Sequence, residues 1–137
     1  MAMGDALGSE FLKVGAVILS HRFDFSDYTA AKYCVLLEDY SLIRSTTLVA
    51  LTTSQTKFIH NPWFVEIPDD TCGIEGVTYL DCNNVWERPT TELASHNRYK
   101  YIGQIPDELL DDIYLALEYA ANVPEEFLIR IFGEAIG

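Results

Sequence analysis

The chain has 137 residues, 49% of them hydrophobic, and 9 Lys and Arg against 21 Asp and Glu give a formal net charge of -12. That length suits one domain with a real core rather than two, expected over 1–137 with a flexible arm at 1–12, a barrel at 13–105 and C-terminal helices at 106–133. No run reaches the roughly 18 apolar residues of a membrane helix, and Met1 to Glu10 carries no basic segment leading into an apolar one, so neither a membrane span nor a secretory signal is expected.

The acidity is uneven. From Pro106 to Gly137 there are eight acids and one base, Arg130, for a charge of -7, while Met1 to Ile105 carries eight bases and 13 acids, for -5. This weighs against a broadly nucleic-acid-binding surface, because phosphate contacts need clustered Lys and Arg, but leaves room for a local basic groove outside the C-terminal quarter. The three cysteines, Cys34, Cys72 and Cys82, are odd in number and lack paired spacing, against both a disulfide framework and a zinc site. A reducing, cytoplasmic location is expected, with Cys34 and Cys82 as small core residues.

Val14 to Ser20 is a continuous apolar run rich in Val and Ile, the signature of a strand covered on both faces. It leads into Arg22 to Asp27, where Phe23 and Phe25 alternate with polar residues. The turn formers Ser26, Asp27 and Thr29 then return the chain into a strand over Lys32 to Leu37, so a hairpin is expected with Lys32 at its return edge. Glu38 to Ser45 is a polar connection. Thr46 to Thr53 is the next strand, and its last stretch, LVALTTSQ, passes abruptly from apolar residues to Thr52, Thr53, Ser54 and Gln55. A loop around Lys57, His60, Asn61 and Pro62 precedes strands at Trp63 to Ile67 and Val77 to Cys82, with Asp69, Asp70 and Gly73 turning between them. Val85 and Trp86 continue or bend the last of these until Pro89. Short strands at this spacing without intervening helices predict a small antiparallel β-barrel or strongly bent sheet, mainly β with α.

The period changes at Pro106. Leu109, Ile113, Ala116, Leu117 and Ala120 share one helix face, with Pro106 at the first helical position and Asp107 and Glu108 at the positive end of the dipole. A second helix starts at Pro124, presents Phe127, Leu128, Ile131 and Phe132, and is expected to end at Gly133.

His21, His60 and His96 lie at strand ends or in loops, outside any nucleophile-elbow motif, and read as surface histidines. Asp24, Asp27, Glu38 and Asp39 lack the spacing of a calcium loop and read as solvated charges; no metal or cofactor is expected. Nucleotide-loop and zincin motifs are missing. What remains is a convergence: a hairpin returning at Lys32 beside the end of LVALTTSQ brings a cation, two hydroxyls and an amide to one rim. A cation that stabilises phosphorane charge and hydroxyls that orient a phosphate make a phosphodiester site without metal, since RNA supplies its own 2′-hydroxyl nucleophile. Phe23, Phe25, Phe58 and Trp63 at such a rim would stack unpaired bases, although aromatics in strands more often belong to the core.

Several short segments, in order, resemble the PemK/MazF toxins of toxin–antitoxin pairs. VGAVILSHRFDF, Val14 to Phe25, resembles the family's opening G-D-hydrophobic-F-x-F strand. Lys32 to Leu37 resembles its R-P-hydrophobic-V-L strand, and LVALTTSQ its hydrophobic-P-x-T-S/T-Q strand end. Val77 to Cys82 resembles hydrophobic-x-L-D-Q, and YIGQIPDELL, Tyr101 to Leu110, the segment leading into the last helix. The resemblance implies an SH3-like barrel with C-terminal helices, a homodimer, metal-independent endoribonuclease action on single-stranded RNA, and an antitoxin protein partner. It implies Thr52 and Thr53 as catalytic hydroxyls and places the family's catalytic Arg on Lys32, its Pro on Tyr33 and its opening Asp on Ala16. Lysine keeps the charge but lacks the planar fork that grips two phosphate oxygens. Arg22, across the hairpin, is the candidate replacement. Ser54, Gln55, Phe25 and Lys57 are the expected RNA contacts. The alternative is a catalytically silent protein-binding module on the same fold, acting through its dimer surface or acidic helices, and a third is an acidic mimic of nucleic acid.

Overall fold

The computed structural model describes residues 12–20, 32–41, 43–53, 60–93 and 99–136. Strands β1 (Ala16–Ser20), β2 (Lys32–Leu36), β3 (Thr46–Thr53), β4 (Phe64–Ile67) and β5 (Thr78–Pro89) are followed by a single turn of helix, α1 (Thr90–Leu93), then strand β6 (Tyr99–Gln104) and helices α2 (Asp107–Tyr119) and α3 (Glu125–Ile136). The strands form one antiparallel sheet in the order β4-β5-β3-β2-β1-β6.

The expected strands are present, with four differences. Tyr99 to Gln104, read only as the lead-in to a helix, is a sheet strand paired with β1. Helix α1 was not anticipated at all. Pro106 sits just outside α2, at the N-cap, rather than inside its first turn. Finally, α3 runs through Gly133 to Ile136. A glycine ends a helix by taking positive φ, and Gly133 is not among the residues that do.

Successive strand residues point to opposite sides, and here both sides are covered. Val17, Val35, Leu48, Ala50, Leu80 and Cys82 share one core with Ile113, Ala116 and Leu117 of α2. Ala16, Ile18, Cys34, Leu36 and Val49 share the other with Leu12, Leu93 and Tyr99. Two-sided burial is why β1 and β2 are apolar at nearly every position instead of alternating. Phe127, Leu128, Ile131 and Phe132 of α3 pack on the first core, where Phe132 meets Tyr114 with ring centroids 5.7 Å apart.

The turn after β4 packs against β6. Gly73, at φ +85°, lies so close to Ile102 that a Cβ would meet its carbonyl oxygen at 2.9 Å, and a Cβ on Gly103 would collide with the carbonyl of Cys72. Both contacts require glycine. Pairing of β5 with β3 skips from Val85 opposite Ala50 to Asp81 opposite Leu51. The intervening Asn83 is used elsewhere: its Oδ1 accepts from the amides of Ala121 at 2.8 Å and Asn122 at 2.9 Å, fixing the connection between α2 and α3. Asp81 Oδ1 in turn accepts from the Asn83 amide at 2.9 Å.

Candidate nucleic-acid interface

Antiparallel register gathers the strand ends of the expected site at one rim. Ser20, the last residue of β1, pairs with both Lys32, the first of β2, and Tyr99, the first of β6. On the other side of β2 the pairs run Leu36 with Val49, Val35 with Ala50 and Cys34 with Leu51, so continued counting sets Tyr33 opposite Thr52 and Lys32 opposite Thr53. Thr53 pairs in turn with Tyr79 of β5, and Tyr79 with Glu66 of β4. Ser20 thus pairs with Lys32 and Thr53 with Tyr79, and the two pairs fall in one row when the β2–β3 count is continued past its last pair, Cys34 with Leu51. Arg22, Phe25, Ser54, Gln55 and Lys57 lie outside the described residues.

The two threonines do not occupy equivalent positions. Thr52 shares its face with Leu48 and Ala50, is only 6% exposed, and donates its hydroxyl to the carbonyl of Tyr33 at 3.4 Å, a long bond. Thr53 is on the opposite face with Val49 and Leu51 and is half-buried at the end of the strand. Neighbouring residues of a strand cannot both reach one phosphate, and the geometry favours Thr53 as the one with solvent access. The period of two already separates these side chains in the sequence. Also at this rim is a cation the sequence reading did not single out, Lys100, exposed on β6 opposite Leu19.

A denser polar cluster sits at the other end of the sheet. Glu38, 6% exposed, accepts from Arg130 at both carboxylate oxygens, Nη2 to Oε1 at 2.8 Å and Nε to Oε2 at 3.1 Å, and from the Leu48 amide at 3.0 Å. Arg130 also donates to the Thr46 carbonyl at 3.0 Å and to Glu87 at 3.2 Å. Arg44 donates to the Asp39 carbonyl, and the Asp39 side chain accepts from the Val14 amide at 2.8 Å. The expectation that Glu38 is a solvated loop charge is thus corrected, since it is buried and ties Arg130 to the β3 backbone, whereas Asp39 is exposed as expected and also accepts from the Val14 amide. Each arginine here already faces an acid, so this cluster is a structural clasp rather than an anion site.

The thiols offer no nucleophile. Burial pushes Cys34 up to about 12 against a small opposing pull from Arg88, and burial with the nearby Asp81 charge pushes Cys82 up to about 12. Cys72, half-buried, is pushed to about 11 by burial. A thiol far above neutral pH is protonated and unreactive. Among the described residues no cluster of three His, Cys, Asp or Glu could hold a metal ion, and no helix is long and apolar enough to cross a membrane.

No protein-family model and no curated protein matches the chain. Solved structures do. An endoribonuclease in complex with its cognate antitoxin, from a mycobacterial species, is 15% identical with a TM-score of 0.58 over 82% of this chain and 96% of that one. A second mycobacterial endoribonuclease is 17% identical, with a TM-score of 0.57 over 82% and 92% of the two chains. A MazE–MazF structure from Deinococcus radiodurans is 15% identical, with a TM-score of 0.59 over 78% and 92%. What is shared at such identities is the architecture, and six antiparallel strands curled into a half-barrel with C-terminal helices give this chain the MazF-like fold.

Proposed function

We propose that this chain is a toxin-type endoribonuclease that cuts single-stranded RNA without a metal ion, at the rim where Lys32 stands opposite Thr53. The supporting observation is the register: counted on from its last pair, Cys34 with Leu51, the β2–β3 ladder sets a lysine and a hydroxyl near each other on a fold whose solved examples include endoribonucleases. In this reading the RNA 2′-hydroxyl gives its proton to water as its oxygen bonds to phosphorus, and the bond to the 5′-oxygen breaks as that oxygen takes a proton from water, leaving a 2′,3′-cyclic phosphate and a 5′-hydroxyl. Lys32, or Arg22 in its place, stabilises the charge that develops on the phosphorane. Thr53 donates to a phosphate oxygen, while Thr52 holds the β2–β3 pair through Tyr33. Ser54, Gln55, Phe25 and Lys57 position the strand, and Lys100 adds a backbone phosphate contact. In this reading the protein works as a cytoplasmic homodimer and is restrained by an antitoxin; the antitoxin part is supported by the solved MazE–MazF and endoribonuclease–antitoxin complexes.

The test is cleavage of a labelled single-stranded RNA in EDTA, with products mapped for a cyclic phosphate end. Cleavage by the parent, lost in Thr53→Ala and Lys32→Ala, supports the reading. Absence of cleavage by a folded parent leaves the second reading, a silent protein-binding module, which is favoured by one specific observation: Thr52, one of the two hydroxyls the resemblance marks as catalytic, is buried and its hydroxyl is engaged.

A further inference from the structure

The terminal strand β4 and helix α2 leave a cleft of about 290 Å³ between them, lined by Pro62, Phe64, Glu66, Asp112, Leu115 and Tyr119 among others. Two of its walls are unusual for a protein surface: Leu115 is 52% exposed and Tyr119 is 58% exposed. On α2 the positions Glu108, Asp112, Leu115 and Tyr119 are spaced i, i+4, i+7 and i+11, which is one continuous stripe, acidic in its first half and apolar in its second. Helix α2 contains Asp107, Glu108, Asp111, Asp112 and Glu118 and no base, and among the described residues no base lines the cleft.

We infer that this cleft is a docking site for an extended, basic and apolar segment of a protein partner, seating one or two large apolar side chains against Leu115 and Tyr119 and lysines or arginines against Glu66 and Asp112. The volume lies at the small end of ligand pockets and suits a side chain or two rather than the face of a helix. An extended segment beside a terminal strand is a recurrent mode of peptide recognition. Charge selects the class of occupant. RNA would meet acids here, and a second copy of a chain with net charge -12 would set acid against acid, whereas a basic segment is complementary. The inference does not rest on the RNA reading, since the residues it uses take no part in the proposed chemistry.

The test uses the full chain and a short fluorescein-labelled peptide of alternating lysine and leucine, read by anisotropy at about 0.15 M salt, where diffuse charge attraction is screened. Two control peptides replace its leucines by serine or its lysines by glutamate. The expected result is binding of the lysine–leucine peptide alone, weakened about tenfold or more by Leu115→Arg and by Asp112→Lys, and altered less than about twofold by Glu125→Lys on α3. Leu115→Arg should melt with the parent because its side chain is exposed, and Leu115→Ala provides a milder variant if it does not. Absence of binding, equal binding of the serine peptide, or equal weakening by Asp112→Lys and Glu125→Lys overturns the inference. So does sedimentation showing that Leu115→Arg converts a dimer to a monomer, which would make the cleft a contact between copies.

Discussion

Where β2 ends and β3 begins, Glu38, Arg130, Thr46 and Glu87 bond one another across 92 residues of sequence; where β2 begins and β3 ends, Lys32 and Thr53 stand in register with Ser20 and Tyr79. At the first end a buried carboxylate and a guanidinium are fully committed to holding α3 against the sheet. At the second, a hydroxyl side chain reaches partial solvent exposure on a strand that stops there. The contrast separates polar residues locked inside the fold from one partly exposed at a strand end, and it does so by burial rather than by residue type. Thr52 and Thr53 repeat the lesson one residue apart, one turned inward to Tyr33 and the other outward at the rim.

Breaking the clasp should produce the largest change in stability. Arg130→Met leaves the buried Glu38 charge without its bidentate partner, and about 3 kcal/mol should be lost, measured as a lower urea midpoint at unchanged slope. A loss below about 1 kcal/mol would show that water replaces the arginine and that the two ends are less different than described.

A pH experiment tests the two-sided burial behind both ends. Cys34 and Cys82 are raised to about 12 from an ordinary 9.0, so the unfolded chain releases these protons first. Their contribution is complete below pH 9 and is lost as pH rises from 9 toward 12, by up to about 1.4 kcal/mol per thiol per pH unit. Stability of a Cys34→Ala/Cys82→Ala chain should fall less steeply across that window; an unchanged slope would mean that other groups carry it.

Smaller effects are expected from single bonds. Asn83→Ala removes the acceptor for two amides between α2 and α3 and should cost about 1–2 kcal/mol in thermal or urea unfolding, with the rim of Lys32 and Thr53 unaffected. Smallest of all, Thr52→Val keeps the shape and loses one long hydrogen bond, so stability should change by less than about 1 kcal/mol and cleavage by little. If Thr52→Val abolishes cleavage while Thr53→Val preserves it, the assignment of the two faces to structure and substrate is reversed.

Much of this architecture is legible in residue pattern. Short apolar stretches between turn formers mark β1 to β5, and the 3.6-residue period marks α2 and α3 with their core faces, because such local signals reflect burial directly. β6 was not legible as a strand: Tyr99 to Gln104 mixes exposed Lys100 with half-buried neighbours, and its pairing with β1 joins segments about 80 residues apart. α1 is a single turn, too short to show a period. Gly133 misleads because glycine marks a helix end only when the backbone needs positive φ. For the site, the sequence places Lys32 and the threonines at strand ends, and alternation alone separates Thr52 from Thr53. The Glu38–Arg130 clasp has no local signature, since its partners meet only after α3 folds back on the sheet.

The central claim is that the rim of Lys32 and Thr53, and not the clasp, meets RNA. Its most direct measurement is the initial rate of single-stranded RNA cleavage in EDTA for the parent, Thr53→Val, Lys32→Ala and Thr52→Val, each confirmed folded by its melting curve. The account predicts a rate reduced about a hundredfold or more in the first two variants and nearly unchanged in Thr52→Val, with a cyclic phosphate on the product. Cleavage by folded Thr53→Val and Lys32→Ala at the parent's rate would contradict it.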